Sequence, residues 1–177
     1  MKLNLKTKIY IGLLSVFAIL IYSFMLESSY NTDIKLLIFW TILSIIVESL
    51  LIPLPNNAVG VSVGYAINIA SLIVGGPLIA TTSSFLGVLC RVAKVTGKGY
   101  IHTFNLPLYK TVFNVSQSII VTTTIGLIYI FVGGKVGEFN LIPTIVILLF
   151  GVLLNTVLIS WFLSVSNNTK FFKTWGT

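Results

Sequence analysis

The chain has 177 residues, 56% of them hydrophobic and only 8% charged, with a formal net charge of +7. A soluble domain carries roughly a quarter charged residues, so a water-soluble fold is excluded and a bilayer is the expected solvent. In a soluble chain the positive charge would suggest nucleic acid, but here it falls between apolar runs, where it acts as a topology signal and a contact for anionic headgroups.

Spans need about 17–25 mostly apolar residues. Six such runs occur, at 9–25, 34–54, 57–75, 77–95, 112–132 and 141–165. The expected fold is therefore an all-α integral membrane protein, a single membrane domain over 1–177 with six transmembrane helices. The first run follows "MKLNLKTK" but lacks a small-residue cleavage site, so it reads as an uncleaved span and not a signal peptide. "PLPNN" (53–57) and "GGP" (75–77) are too tight for ordinary loops, which makes spans three and four a closely packed hairpin, with a re-entrant arrangement as the alternative. Continuous apolar runs, in place of alternating ones, argue for helices over a barrel.

Orientation follows from the basic residues. With both termini cytoplasmic, the inside segments hold Lys2, Lys6, Lys8, Arg91, Lys94, Lys98, Lys110, Lys170 and Lys173, and the outside only Lys35 and Lys135. That asymmetry is independent of the hydropathy used to draw the spans, and it supports six spans with both ends inside. The basic connection 91–107 is expected on the cytoplasmic surface, with Tyr100, Phe104 and Tyr109 as interfacial anchors and His102 among them. The segment "SNNTKFFKTWGT" (166–177) reads as an interfacial tail, with Phe171, Phe172 and Trp175 at headgroup level.

Polar side chains inside spans are costly and normally face protein or water. Thr41, Ser44 and Glu48 share one helical stripe; Ala80, Ser84, Gly87 and Arg91 make a second; Gly60, Gly64, Asn68 and Ser71 a third; Asn114 and Gln117 lie three apart. At 1.5 Å per residue, Glu48 lies about 9 Å and Arg91 about 6 Å from the inner ends of their spans, and Asn114, Gln117 and Asn155 fall near the same depth. The expectation is one polar layer in the cytoplasmic third, with Glu48 and Arg91 as a possible ion pair and Asn68, Asn114, Gln117 and Asn155 completing it. Such a layer either binds a small-molecule ligand or only pins helices together, and Arg91 could instead snorkel to the headgroups. One histidine and one cysteine, Cys90, offer no His/Cys metal cluster. No carboxylate pair, activated nucleophile or phosphate-cradling loop occurs either, so neither enzyme activity nor a cofactor is expected.

A family pattern accompanies these features. Glu48 with Pro53 or Pro55 beyond it, "VSVGYAINIASLIVGGPLIATTSSFLGVL" (61–89) and "LYKTVFNVSQ" (108–117) together resemble the multispan N-terminal region of bacterial HD-GYP and GGDEF cyclic-di-GMP signalling proteins. The resemblance covers roughly residues 40–135. It implies a membrane-embedded sensory or regulatory input module acting on a cytoplasmic signalling domain, although this chain carries no HD-GYP or GGDEF motif of its own. A weaker similarity, in size, charge and six-span layout, is to the substrate-binding (S) subunits of energy-coupling-factor vitamin transporters. There Gly12, Ser15 and Ala18 would dock transporter subunits and "LESSYNTD" (26–33) would be the candidate lid. A structural or assembly protein without a ligand is a third reading.

Overall fold

A computed structural model describes residues 4–28, 32–50, 52–53, 60–61, 63–95 and 99–175. In chain order the elements are α1 (Leu5–Ser28), α2 (Ile34–Ser49), β1 (Ile52–Pro53), β2 (Gly60–Val61), α3 (Gly64–Cys90), β3 (Val92–Val95), β4 (Gly99–His102), α4 (Leu108–Phe131), α5 (Leu141–Asn167) and α6 (Phe171–Trp175). Among the described residues, four helices are long and apolar enough to cross a membrane: α1, α3, α4 and α5. The protein is all-α apart from two small antiparallel β-ribbons, β1–β2 and β3–β4.

The decisive local feature is Gly76, with φ 84° and ψ 175° inside α3. Only glycine occupies that region without strain, and Pro77 follows it. In a straight helix, Asn68 and Ser84 would stand about 24 Å apart. Instead Asn68 Nδ2 donates to Ser84 Oγ at 2.8 Å. The helix is therefore folded back on itself, with residues 64–75 and 77–90 as two antiparallel arms about 18 and 21 Å long. The hairpin expected at "GGP" is present, in arms shorter than the runs 57–75 and 77–95.

Six helical rods result, and side-chain contacts fix their directions. Asn4 reaches the carbonyl of Val165, and Tyr10 that of Leu158, so α1 and α5 are antiparallel. Tyr10 also lies against Phe113, and Ser15 against Ser116, so α1 and α4 are parallel. Thr81 meets Thr123 and Ser84 meets Ser118, which sets the second arm of α3 antiparallel to α4. Gly87 backs onto Ser44 and Arg91 onto Glu48, so α2 runs alongside that arm in the same direction. The rods alternate, and one end of the bundle, here the terminal face, holds both Asn4 and α6. The Gly76 turn and the connection between α4 and α5 lie on the opposite, distal face, where Gly137 N–H donates to the Ile73 carbonyl at 2.7 Å.

Local sequence explains the ends of the rods. Asn4 Oδ1 accepts from the Thr7 amide at 2.7 Å and caps α1, and Asp33 Oδ1 caps α2 through the amides of Lys35 and Leu36. Helix α5 ends at Asn168, left-handed at φ 53°. Helix α2 stops at Ser49, not near 54 as the apolar run suggested. The connection 91–107 is not a plain surface loop: Val92–Val95 pairs with Gly99–His102. The tail forms α6, tied to the end of α5 by Trp161–Phe171 ring contact at 5.6 Å.

Two apolar clusters fill the interior. One, towards the terminal face, joins Ile11, Leu14 and Ala18 of α1 to Phe113, Ile119, Ile120 and Phe162, with Phe113 stacked on Phe162 at 4.1 Å. The other, towards the distal face, joins Ile69, Leu72 and Ala80 to Ile125, Tyr129 and Ile147. The small residues of α1 serve this packing: Ala18 is buried and Ser15 touches Ser116, so two of the three residues expected to dock a partner face the bundle itself. Large apolar side chains cover the outside, among them Leu13, Ile38, Ile142 and Leu149, as a lipid-facing surface requires.

Replacing Gly76 by alanine places a Cβ at a glycine-only backbone geometry and 3.4 Å from Val136. The expected cost is about 1–3 kcal/mol, read as a lowered melting temperature in detergent. Gly12→Ala, in the interior of α1 where a Cβ meets nothing within 4 Å, should not lower it, since alanine favours a helix over glycine.

Candidate functional site

The polar residues are brought together as three separate groups, not as one layer. At the terminal face Arg91 Nη1 lies 3.6 Å from Glu48 Oε2. Both sit at helix C-termini, Glu48 in the last turn of α2 and Arg91 as the residue that ends α3. The depth expected for the pair is thus corrected: these helices end at 49 and 90, and the chain beyond them turns into β-ribbons. A carboxylate at a helix C-terminus opposes the helix dipole, and a guanidinium there is favoured. Arg91 therefore offsets the charge of Glu48 and serves two helix ends at once. Glu48 is buried, and the Val92 amide donates to Ser49 Oγ at 3.0 Å, binding β3 to the same corner.

Deeper in the bundle the groups are neutral. Ser84 is the node: its Oγ accepts from Asn68 Nδ2 at 2.8 Å and from Thr122 at 3.2 Å, and it lies 2.6 Å from Ser118 Oγ. With two bonds accepted, the Ser84 proton is directed to Ser118. One turn towards the distal face, Thr81 and Thr123 are 3.3 Å apart, and Tyr22 meets Thr82 at 2.9 Å. This network knits both arms of α3 to α4 and α1.

The third group lies on another side of α4, facing α5. Gln117 Nε2 donates to Asn155 Oδ1 of α5 at 2.6 Å. Gln117 and Ser118 are consecutive, so α4 sends one polar group to α5 and the next to α3. Asn114 is half-buried and makes no side-chain hydrogen bond among the described residues. Sequence reasoning missed Ser118, Thr122 and Thr123, because serine and threonine are too common in apolar helices to stand out singly. Their spacing at 118, 122 and 123 was the available signal. It also missed Tyr65, whose hydroxyl passes Gly151 to reach the carbonyls of Ile147 and Leu148.

On the distal face a cleft of about 300 Å³ opens between the start of α2 and the Gly76 turn, lined among others by Thr32, Asp33, Leu36, Pro77 and Val136. Among the described residues no three His, Cys, Asp or Glu side chains come together as a metal site. The chain matches no family model, and no curated protein or solved structure is significantly similar to it. Two neutral networks tie the rods together, and an ion pair closes one end of the α2–α3 contact while a cleft opens the other.

Two measurements follow. Ser84→Ala strips Asn68 and Thr122 of their acceptor and should cost about 1–3 kcal/mol, more than Thr156→Ala, whose hydroxyl is exposed and bonds only its own helix. A double-mutant cycle of Glu48→Gln with Arg91→Gln should give a coupling energy of about 0.5–3 kcal/mol in thermal unfolding. Additive effects would mean that the pair contributes nothing.

Proposed function

We propose that this protein is a membrane-embedded sensory or regulatory input module of the bacterial inner membrane. The long helices α1, α4 and α5 cross the bilayer, α2 and the two shorter arms of α3 pack beside them, and the terminal face is cytoplasmic. The observation that carries this reading is the second arm of α3. Residues 77–90 run without interruption from the distal cleft at Pro77 to the Glu48–Arg91 pair at the terminal face. A small molecule entering the cleft would part α2 from the Gly76 turn, and the displacement would be felt about 21 Å away at the ion pair. The partner that reads it is a cytoplasmic signalling domain, in keeping with the resemblance to the membrane regions of HD-GYP and GGDEF proteins.

The terminal face suits an anionic bilayer surface. Lys94, Lys110, Lys170 and Lys173 are exposed there, beside the exposed rings of Tyr100, Phe104 and Phe172, the mix of cations and aromatics that gathers at headgroup level. A second reading, the substrate-binding subunit of a vitamin transporter, is favoured by the cleft itself, because those subunits take their vitamin near the outer face.

Orientation is checked with a membrane-impermeant maleimide on intact cells in a Cys90→Ser background. Lys135→Cys should react at once and Lys94→Cys only after permeabilisation, and the reverse pattern refutes the topology. Function is checked by co-purifying the full chain from native membranes, alongside a thermal-shift screen against vitamins. A cyclic-di-GMP synthase or phosphodiesterase that co-purifies with wild type and is lost with Glu48→Gln supports the input module. Transporter ATPases together with stabilisation by a vitamin support the second reading and remove the first.

A further inference from the structure

Buried polar side-chain atoms almost always find a hydrogen-bond partner, and those that do not need a physical reason. Among the described residues five lack one, and four of the five gather at one level of the bundle: Trp40 Nε1, Thr41 Oγ1, Ser44 Oγ and Asn68 Oδ1. The contacts of α2 with the second arm of α3 keep a constant register, in which Ser44 meets Gly87 and Glu48 meets Arg91. That register sets Thr41 level with Ser84, the residue to which Asn68 is bonded. The unpartnered atoms thus belong to the seam between α2 and α3 and to its immediate lining.

Three further observations bear on α2, whose contact with α3 is the most extensive between helices of this structure. It packs on α3 and β3, whereas α4 packs on α1, α3 and α5. Its other face is apolar and exposed, with Ile34, Ile38, Phe39, Ile42 and Ile46 all more than half accessible. The seam is smooth at its centre, because Gly87 has no side chain and a Cβ there would collide with the Ser44 hydroxyl. Neutral hydrogen bonds cross from α3 to α4 at Ser84, Thr81 and Thr122, but among the described residues the side chains at the centre of α2 make no such bond to α3.

We propose that α2 is the moving part of the protein, with at least two seatings on α3. In the present seating the Glu48–Arg91 pair is closed and the hydroxyls of Thr41 and Ser44 are unpartnered. In the other, α2 is displaced along or about its axis, the ion pair opens, and those hydroxyls gain partners across the seam. Interfaces that switch do so between discrete packings and do not deform continuously, and the two seatings are separated by an exchange of one ion pair for neutral hydrogen bonds. The distal cleft touches the start of α2 at Thr32, Asp33 and Leu36, so an occupant there bears directly on the choice. This names the moving element of the input module and rests on that reading for its purpose alone, since helix displacement is measured without any signalling output.

Spin labels at Ile42→Cys on α2 and Leu127→Cys on α4, in a Cys90→Ser background and in lipid nanodiscs, test it by pulsed electron paramagnetic resonance. The expected result is two distances, the minor one populated at about one-tenth. Glu48→Gln should increase that population about threefold, a bias of about 0.8 kcal/mol by the constant that sets 1.4 kcal/mol to tenfold. A control pair at Leu127→Cys and Leu149→Cys should give one distance. Unlabelled Thr41→Val, which removes an unpartnered hydroxyl at constant shape, should raise the melting temperature by roughly 2–4 °C. A single narrow Ile42–Leu127 distance, unchanged by Glu48→Gln, overturns the proposal whatever the melting temperature does. A fall in melting temperature for Thr41→Val overturns it too, because that hydroxyl would then already be partnered.

Discussion

The whole arrangement depends on the turn at Gly76. An unbroken helix from Gly64 to Cys90 would be about 40 Å long and would leave the bundle with an odd number of rods. Because Gly76 takes a backbone geometry closed to other residues, the same 27 residues become two arms facing each other. That fold-back brings Asn68 to Ser84 and aligns Ser84 with α4. It also delivers Arg91 to the same face as the end of α2, and so the ion pair at one face is a consequence of a backbone torsion at the other. Pro77 reinforces the turn, and Gly126 of α4 supplies the room: a Cβ there would lie 2.8 Å from the Pro77 side chain.

Inside a bilayer the hydrophobic effect does not favour one helix contact over another, since lipid is as apolar as leucine. Association must come from close packing and hydrogen bonds worth about 0.6 kcal/mol each on average. The bundle follows that rule. Glycines admit a neighbour at Gly87 with Ser44, Gly126 with Pro77 and Gly151 with Tyr65, and hydroxyl bonds run beside the last two approaches. Charge is treated differently. The one ion pair of the helix ends, Glu48–Arg91, sits where arginine retains some contact with the surroundings, at 21% side-chain exposure. A deep ion pair would have to offset several kcal/mol of desolvation per ion.

Much of this was legible in the sequence. Hydropathy located the apolar rods, "GGP" marked the fold-back, and helical spacing picked out the Thr41, Ser44, Glu48 stripe and the Ala80, Ser84, Gly87, Arg91 stripe, though not that the two face each other. Glu48 and Arg91 were expected as a possible ion pair from their similar depth. What sequence reading missed came from counting depth by the lengths of apolar runs. Residues 50, 52–53 and 92–95 continue the apolar runs before them, yet they are non-helical or pair as strands, and hydropathy cannot tell the two apart. With the helices ending earlier, Glu48 and Arg91 move to the rim, whereas Gln117 lies about 14 Å from the start of α4. The single layer accordingly separates into three groups. Gln117–Asn155 was missed as a pair for another reason: which side of α4 faces α5 is set by the tight connection after Phe131, where Tyr129 donates to the carbonyls of Lys135 and Glu138, and no periodicity records that.

The bundle is therefore unequal in how firmly its rods are held. Helix α4 is bound on three sides, by hydroxyl bonds to α3, by Gln117–Asn155 to α5 and by Ser116–Ser15 to α1. Helix α2 is attached on one side, by close contact at Gly87 and by an ion pair with one rim-exposed partner. Unsatisfied buried polar atoms cost about 1–3 kcal/mol each, and gathering them in the α2–α3 seam concentrates that cost between two rods. A protein made only to hold helices together would gain by turning Thr41 and Ser44 into apolar residues of similar shape. Their presence, with Glu48 one turn further along the same stripe, is better explained by a helix that has a second place to sit.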